Sequence, residues 1–247
     1  MVKGLERFRE YFRDFTEQYV LIGGAACDIS FENQEAEFRA TKDLDMVLVV
    51  ESLTREFGER FWTFITDGGY QNRQKSTGKA EFYRFEKPYR EGFPFMIELF
   101  ARTGSNLPAE VSLIPVHIDD NVSSLSAILL NEDYYQLLLE GRTVIDGVSV
   151  LDPVRLVPFK IKAWLDLREK KSRGIHVNTR DLKKHRNDVV RILSEMPLVP
   201  CIIPDGVRLD VSEFLRELDI SNQDIHNMGI SEINVDDIQQ RLEELYL

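Results

Sequence analysis

Apolar and polar positions alternate along the first 150 residues in a way that predicts a mixed sheet flanked by helices. Apolar residues recur at helical spacing at residues 3–18 and 57–65, and short apolar runs predict strands. A predicted glycine turn, Gly23-Gly24, leads from the first strand into a helix at residues 25–31, and residues 32–42 form a predicted loop. The predicted strands are residues 19–22, 46–50, 70–74, 81–85, 93–102 and 116–118, with a helix at 125–139 and a hairpin at 143–150 that turns at Asp146-Gly147.

The pattern becomes helical after Asp152-Pro153, where Asp152 suits a helix cap and Pro153 suits the first helical position. Pro158 is unfavourable inside a helix, so the regular helix is expected to begin there and to continue through residues 159–167. A second amphipathic helix is predicted at 180–193 and a last one at 235–245. We therefore predict an α/β (α+β) fold, with a first domain that contains the mixed sheet at residues 1–150 and a helical C-terminal domain at 151–247.

Composition makes this an ordinary globular chain. Its 247 residues are 43% apolar, which is enough for a substantial core. No run reaches the roughly 18 apolar residues of a membrane span, and the first residues lack the apolar segment of a secretory signal, so a cytoplasmic protein without membrane contact is expected. Cys27 and Cys201 are far apart, and neither lies at metal-ligand spacing from another Cys or His, so they suggest neither a disulfide framework nor a zinc site.

Charge is distributed unevenly along the chain. The formal net charge is −11, which argues against non-specific wrapping of nucleic acid. Positive residues nevertheless cluster between Lys160 and Arg191. A small polyanion such as a nucleoside triphosphate fits this distribution better than long DNA does.

The most informative motif is Asp43-x-Asp45, two carboxylates one residue apart at the start of an apolar run. On a strand, alternate side chains share a face, and paired carboxylates on one face suit a hard divalent cation such as magnesium. Asp-x-Asp is common by chance in an acidic chain. In haloacid-dehalogenase phosphatases and many glycosyltransferases the motif follows its strand, whereas here it precedes the apolar run, which disfavours both.

Two further features strengthen this site. Gly23-Gly24 alone indicates a strand-to-helix turn in which glycine supplies a positive φ, but a glycine turn at a helix N-terminus also offers backbone donors to phosphates. Glu98 lies within an apolar strand, where a carboxylate needs a partner. It is either a third acid of the site or one half of a salt bridge to Arg84 or Arg102 at a sheet edge.

These segments resemble the nucleotidyltransferase superfamily of the DNA polymerase β type, and within it the AbiEii-like nucleotidyltransferases that act as toxins in type IV toxin-antitoxin pairs. The resemblance spans roughly residues 19–193. It is carried by Leu-Ile-Gly-Gly-Ala-Ala at 21–26, Arg-Ala-Thr-Lys-Asp-Leu-Asp at 39–45, Ile-Glu-Leu at 97–99, the segment 150–163 with its lysines, and Asp-Leu-Lys-Lys-His-Arg-Asn-Asp at 181–188.

The resemblance implies a role for each matching residue in a two-magnesium site. Asp43 and Asp45 would coordinate the metal ions, and Glu98 would complete one metal site. Gly23 and Gly24 would cradle the phosphates of the nucleoside triphosphate, with Thr41 or Arg39 as auxiliaries. Lys160, or Lys162 as the second choice, would neutralise triphosphate charge, while Lys184, His185 and Asp188 would line or brace the same cleft.

The helical residues also have ordinary structural interpretations that need no ligand. Lys160 and Lys184 could lie on a solvated helix face, and a histidine such as His185 is more often a hydrogen-bonded bracing residue than a ligand. The implied reaction, of the EC 2.7.7 type, transfers a nucleoside monophosphate from a triphosphate such as ATP to an acceptor hydroxyl with release of pyrophosphate. The acceptor stays open between RNA, protein and a small molecule, and an antitoxin partner is implied. The alternative is a catalytically inactive nucleotide- or partner-binding regulatory module of the same fold.

Overall fold

The fold is built on one mixed β-sheet, as the sequence predicts. The computed structural model describes residues 2–36, 38–39, 41–72, 83–101 and 131–247. Within these ranges the sheet has seven strands in the order β3-β4-β5-β2-β1-β7-β6, with β1 parallel to β7, β2 parallel to β5 and the other neighbours antiparallel. The strands are β1 (Tyr19–Ile22), β2 (Asp43–Leu48), β3 (Gln71–Asn72), β4 (Tyr83–Glu86), β5 (Met96–Ala101), β6 (Arg142–Ile145) and β7 (Val148–Leu151).

Nine α-helices are found in the described ranges, most of them close to the predicted positions. The first four are interleaved with the sheet, and the last five follow it. They are α1 (Leu5–Phe12), α2 (Gly23–Glu32), α3 (Arg55–Gly68), α4 (Glu132–Glu140), α5 (Pro153–Ser172), α6 (Thr179–Glu195), α7 (Asp205–Glu217), α8 (Asn222–Asn227) and α9 (Val235–Tyr246).

The two faces of the sheet differ in chemistry. Helices α1 and α3 cover one face with aromatic side chains, as in the edge-to-face contacts of Phe8 with Tyr19 at 5.5 Å and of Phe61 with Phe85 at 5.4 Å between ring centroids. Leu44 and Ile97 belong to this face and are fully buried. Because side chains alternate along a strand, the neighbouring polar residues of β2 and β5 project from the opposite face.

Helix α5 is continuous through Pro158, so the expectation that the regular helix begins at that proline is wrong. A proline cannot donate to the carbonyl four residues earlier, which here belongs to Val154. The Tyr246 hydroxyl, from the last turn of α9, donates a hydrogen bond to that carbonyl instead. A tertiary hydrogen bond therefore takes the place of the missing helical one.

Other differences are local. Strand β2 begins at Asp43, three residues before the predicted start, because the acidic residues pair with β5 along with the apolar ones. Helices α7 and α8 were not predicted in the proline-containing tail. The predicted strand at 116–118 and the first part of the helix at 125–139 lie outside the described residues. The division into domains near residue 150 stays a prediction, and none of the described helices is both long and apolar enough to cross a bilayer.

Candidate functional site

The predicted acids lie together on the polar face of the sheet. Asp43 and Asp45 share that face of β2, and the parallel register places Glu98 of β5 directly beside Asp45. Burial and the negative charge of Glu98 raise the pKa of Asp45 to about 7, while Lys160 and Lys184 oppose that rise. Two carboxylates side by side are electrostatically unfavourable, so a positive charge stabilises this face.

The Gly23-Gly24 turn fits closely against the same acids. Gly23 follows β1 with φ of +68°, and a Cβ at this position would lie 2.1 Å from Oδ2 of Asp45. A Cβ at Gly24 would lie 2.8 Å from the Thr41 hydroxyl oxygen. Only glycine therefore allows the start of α2 to approach Asp45 and Thr41 so closely. The structure brings the glycine turn against Thr41 and Asp45, which follow it by 17 and 22 residues in the sequence.

Glu98 has a second partner. The Arg84 guanidinium donates from Nε to Oε1 of Glu98 at 2.6 Å, and the two residues are neighbours across the β4–β5 pair. The alternative predicted for Glu98, an ion pair with Arg84, is thus present, although β5 lies inside the sheet between β4 and β2 and not at its edge. Arg102 lies outside the described residues.

The acidic face fits a magnesium ion in part. Asp43 and Asp45 offer the carboxylate oxygens that magnesium prefers, and no described residue donates a hydrogen bond to Asp45. However, the part of the chain that the structure describes contains no cluster of three or more His, Cys, Asp or Glu side chains arranged to hold a metal ion. Since Glu98 is engaged by Arg84, the aspartate pair is the fitting donor set and Glu98 is its neighbour.

A charge triad of Asp188, Lys160 and Arg39 lies beside the glycine turn, with Asp188 and Lys160 on helices and Arg39 on the loop before β2. Asp188 of α6 accepts from Arg39 Nε and Nη2, each at 2.8 Å, and from Lys160 Nζ of α5 at 2.9 Å. Only 4% of the Asp188 side chain and 5% of the Lys160 side chain are exposed. The alternative of a solvated helix face is therefore wrong for Lys160. Although burial opposes ionisation, Lys160 and Arg39 hold the pKa of Asp188 well below its usual range.

Lys184 is the exposed cation beside this triad. Its pKa is lowered by desolvation of the ammonium group and by the positive charges of Arg39 and Lys160, whereas Asp188 and Asp45 oppose this shift. No described residue forms a hydrogen bond or ion pair with Lys184. Three cations thus lie within electrostatic range of one another with Asp188 as their close counter-ion, and this cluster carries surplus positive charge that suits an anionic ligand.

His185 lies beside the triad as a neutral side chain. Burial, followed by the positive charge of Lys160, lowers the pKa of His185 to about 3. Its Nδ1 atom is buried without a hydrogen-bond partner among the described residues. His185 is therefore packed against the charged cluster without the bracing hydrogen bond at Nδ1 that the alternative interpretation expects.

The two candidate lysines of α5 point to different neighbours. Lys160 faces α6 through Asp188, whereas Lys162 faces α7, where its Nζ lies 3.3 Å from Oδ1 of Asp210 and also pairs with Asp166. Asp210 accepts in addition from the Tyr134 hydroxyl. Lys162 thus belongs to a structural polar network, and Lys160 is the lysine that the fold places near the acidic face.

The sequence indicated only an auxiliary role for Arg39 in phosphate binding. In the structure, Arg39 joins the loop before β2 to helix α6. Arg39 and Asp188 are separated by 149 positions, and no local pattern indicates that they meet. The matching motifs at residues 39–45 and 181–188 were the only signal that could have suggested their proximity.

Comparisons with known proteins add no assignment to this geometry. No family model matches the chain, and no curated protein matches it either.

Proposed function

We propose that this protein is a magnesium-dependent nucleotidyltransferase that transfers a nucleoside monophosphate from a nucleoside triphosphate to an acceptor hydroxyl and releases pyrophosphate. One observation carries the proposal: an acidic pair and a cluster of cations meet at a glycine turn that opens a helix. Asp45 lies against Gly23, and Lys160 and Lys184 act on the Asp45 carboxylate electrostatically. The motif resemblance at residues 19–193 points to the same chemistry.

The phosphates of the donor are the part of the substrate that this arrangement recognises. The first turn of α2 carries backbone N–H groups that have no helical acceptor and that favour an anion. No side chain among the described residues caps this turn. Lys184 adds an exposed positive charge, and Lys160 contributes charge from below the surface. Together these groups favour a polyphosphate over a neutral ligand.

Asp43 and Asp45 would hold magnesium on the sheet side of the same site. A bound magnesium ion neutralises phosphate charge and makes the attacking hydroxyl easier to deprotonate. Asp45 supplies a carboxylate that the fold holds close to the glycine turn, so the residues that would hold the metal adjoin those that would hold the phosphates. Glu98, beside Asp45 in register, adds a further carboxylate to this face of the sheet, even though Arg84 pairs with it.

The acceptor remains RNA, a protein hydroxyl or a small molecule, and a toxin role with an antitoxin partner is part of the proposal through the family resemblance. We propose a cytoplasmic location, since the cytoplasm supplies nucleoside triphosphates. The test incubates the full chain with magnesium, each α-labelled nucleoside triphosphate in turn, and cellular RNA or protein. We expect transfer of label by the wild type and its loss in Asp43→Asn and Asp45→Asn, with exposed Asp146→Asn as the matched control. Equal labelling by all four proteins would contradict the proposal.

The Glu98–Arg84 ion pair favours a second candidate, a nucleotide-binding module without turnover. A third acid that is engaged by arginine is less available to a metal ion, and phosphate binding by the glycine turn and the lysines needs no transfer. Calorimetry with and without magnesium separates the two candidates. Nucleotide binding of equal strength in both conditions, together with no transfer to any acceptor, would select the module.

A further inference from the structure

The Arg39 guanidinium is held in a fixed orientation with part of its donor capacity unused. Its Nε and Nη2 atoms donate to the two carboxylate oxygens of Asp188, each at 2.8 Å. A guanidinium has five N–H donors, so this two-point pair leaves three of them free of described partners. The guanidinium carbon also lies 5.2 Å from the centre of the Phe38 ring, which supports its orientation further. Arg39 therefore presents preorganised donors.

One of these unused donors belongs to Nη2, which lies beside the glycine turn. Nη2 of Arg39 is 3.6 Å from the Cβ that any other residue would carry at position 24, and the Thr41 hydroxyl is adjacent to the same point. One third of the Arg39 side chain is exposed, whereas Lys160 is almost fully buried. Arg39 is thus the cation of the triad that a ligand at the turn can reach. Planar guanidinium donors match the spacing of phosphate oxygens.

Asp188, unlike Arg39, has no unoccupied polar atom that a ligand could reach. Both of its oxygens are occupied by Arg39 and Lys160, and only 4% of its side chain is exposed. It does not offer an atom to a ligand from this position. Its effect on any ligand must pass through the cations that it holds.

We propose that Arg39 binds the terminal phosphates of the nucleotide at the Gly23-Gly24 turn, and that Asp188 is a positioning residue that fixes the Arg39 guanidinium for this contact. The inference rests on the proposed nucleotide site but not on transfer. It makes Arg39, which the resemblance implies only as one of two auxiliaries, the direct ligand of the terminal phosphates, and it assigns Asp188 an indirect role in place of direct nucleotide contact.

The test measures equilibrium binding of ATP, GTP, CTP and UTP, and of the di- and monophosphates of whichever base binds, by calorimetry with the full chain in magnesium. We expect Arg39→Ala to weaken triphosphate binding by roughly 10- to 100-fold, the range for hydrogen bonds to a charged group, and monophosphate binding much less. Arg39→Lys restores the charge without the two-point geometry, so it should recover only part of the loss. Arg191→Ala is the matched control, since Arg191 is also a partly buried arginine of an ion pair, with Glu195.

The role of Asp188 is read from a double-mutant cycle. Asp188→Asn should weaken triphosphate binding in the wild type but have little further effect in the Arg39→Ala background. If Asp188→Asn does not fold, as judged by circular dichroism, Arg39→Ala and Arg39→Lys still decide the phosphate contact. In that case Asp188→Glu, which keeps the negative charge but shifts the guanidinium, decides the positioning role: triphosphate binding as strong as that of the wild type would overturn it.

The outcomes separate this inference from the proposed function. Transfer with triphosphate affinity unchanged in Arg39→Ala overturns the inference and leaves the transferase standing. Arg39-dependent triphosphate binding by a protein that transfers nothing supports the inference and removes the transferase. Equal losses for mono-, di- and triphosphates would show a merely structural effect and also overturn it, as would no binding of any nucleotide by the wild type.

Discussion

Arg39 and Asp188 form a two-point ion pair across 149 residues of sequence, with both nitrogen-to-oxygen distances at 2.8 Å. The pair ties the loop that precedes β2 to helix α6, and Lys160 joins it from α5. The acidic face of the sheet and the cationic face of the helices are therefore linked by a contact at the edge of the candidate site. The geometry of the candidate site therefore depends on the loop before β2 and on helices α5 and α6.

The triad predicts an unequal response to removal of its members. Asp188→Ala leaves two cations without their carboxylate, one of them buried, and should lower the free energy of unfolding by about 3 to 5 kcal/mol. Lys160→Met leaves the Arg39–Asp188 pair intact and replaces the buried lysine with an apolar side chain of similar length, so it should cost less. Urea unfolding followed by circular dichroism measures both. Glu195→Ala, which breaks a more exposed pair on the same helix, is the control; equal losses for Asp188→Ala and Lys160→Met would contradict the prediction.

Gly23 is predicted to be irreplaceable for a steric reason beyond its backbone angle. In Gly23→Ala the new Cβ would lie 2.1 Å from Oδ2 of Asp45, so the carboxylate or the turn must move. Gly174→Ala is a matched control because Gly174 has a similar φ of +77° and open space around its Cβ position. Gly174→Ala should lower the free energy of unfolding by about 1 to 2 kcal/mol, because of the left-handed backbone alone.

Gly23→Ala should lower the unfolding free energy by clearly more than that and should reduce magnesium and nucleotide binding. Thermal unfolding of the two variants, together with calorimetry, measures both effects. Similar losses of stability in the two variants, with ligand binding intact in Gly23→Ala, would show that Asp45 does not constrain the turn.

The sequence was sufficient where the signal is local. Gly23-Gly24, Asp43-x-Asp45 and the amphipathic stripe of α6 were all recognisable, and the acids do share a face. Which strand lies beside β2 was not readable, because the pairing of Asp45 with Glu98 depends on a parallel neighbour about fifty residues later. The same holds for Arg39 with Asp188, since side-chain pairing between distant segments leaves no periodic pattern.

Pro158 illustrates a different limit. A proline inside a helix argues for a helix boundary, and that argument holds only while the freed carbonyl has no other donor. Here Tyr246 supplies the donor from the far end of the chain. Helices α7 and α8 were missed for a related reason: the prolines around residues 197–204 indicated breaks, whereas both helices begin after Pro204 and are stabilised by burial of Val207, Val211, Phe214 and Ile225.

The Tyr246 contact predicts a stability effect that depends on Pro158. Tyr246→Phe removes the hydroxyl that donates to the Val154 carbonyl and should cost about 1 kcal/mol or somewhat more, since the carbonyl lies within a packed region. In a Pro158→Ala background the restored N–H supplies the carbonyl with a helical donor, so the same substitution should cost less. The two losses are compared by urea unfolding. Equal losses in both backgrounds would mean that the tyrosine does not substitute for the missing helical hydrogen bond.

His185 predicts a pH dependence of stability. Its pKa is about 3 in the folded protein, chiefly because of burial and then because of Lys160, while an unfolded histidine has a pKa of about 6.5. Between these values the unfolded chain binds a proton that the folded protein does not, so unfolding is favoured as the pH falls below about 6.5. The loss approaches about 1.4 kcal/mol per pH unit for one such group within that window.

His185→Gln removes the titrating group, so its unfolding free energy should decline less steeply from pH 7 to pH 4 than that of the wild type. The exposed His176→Gln is the control. Because the acidic residues titrate in all three proteins, the difference between the curves isolates the histidine, and parallel curves for the wild type and His185→Gln would show that His185 is not held neutral by the fold.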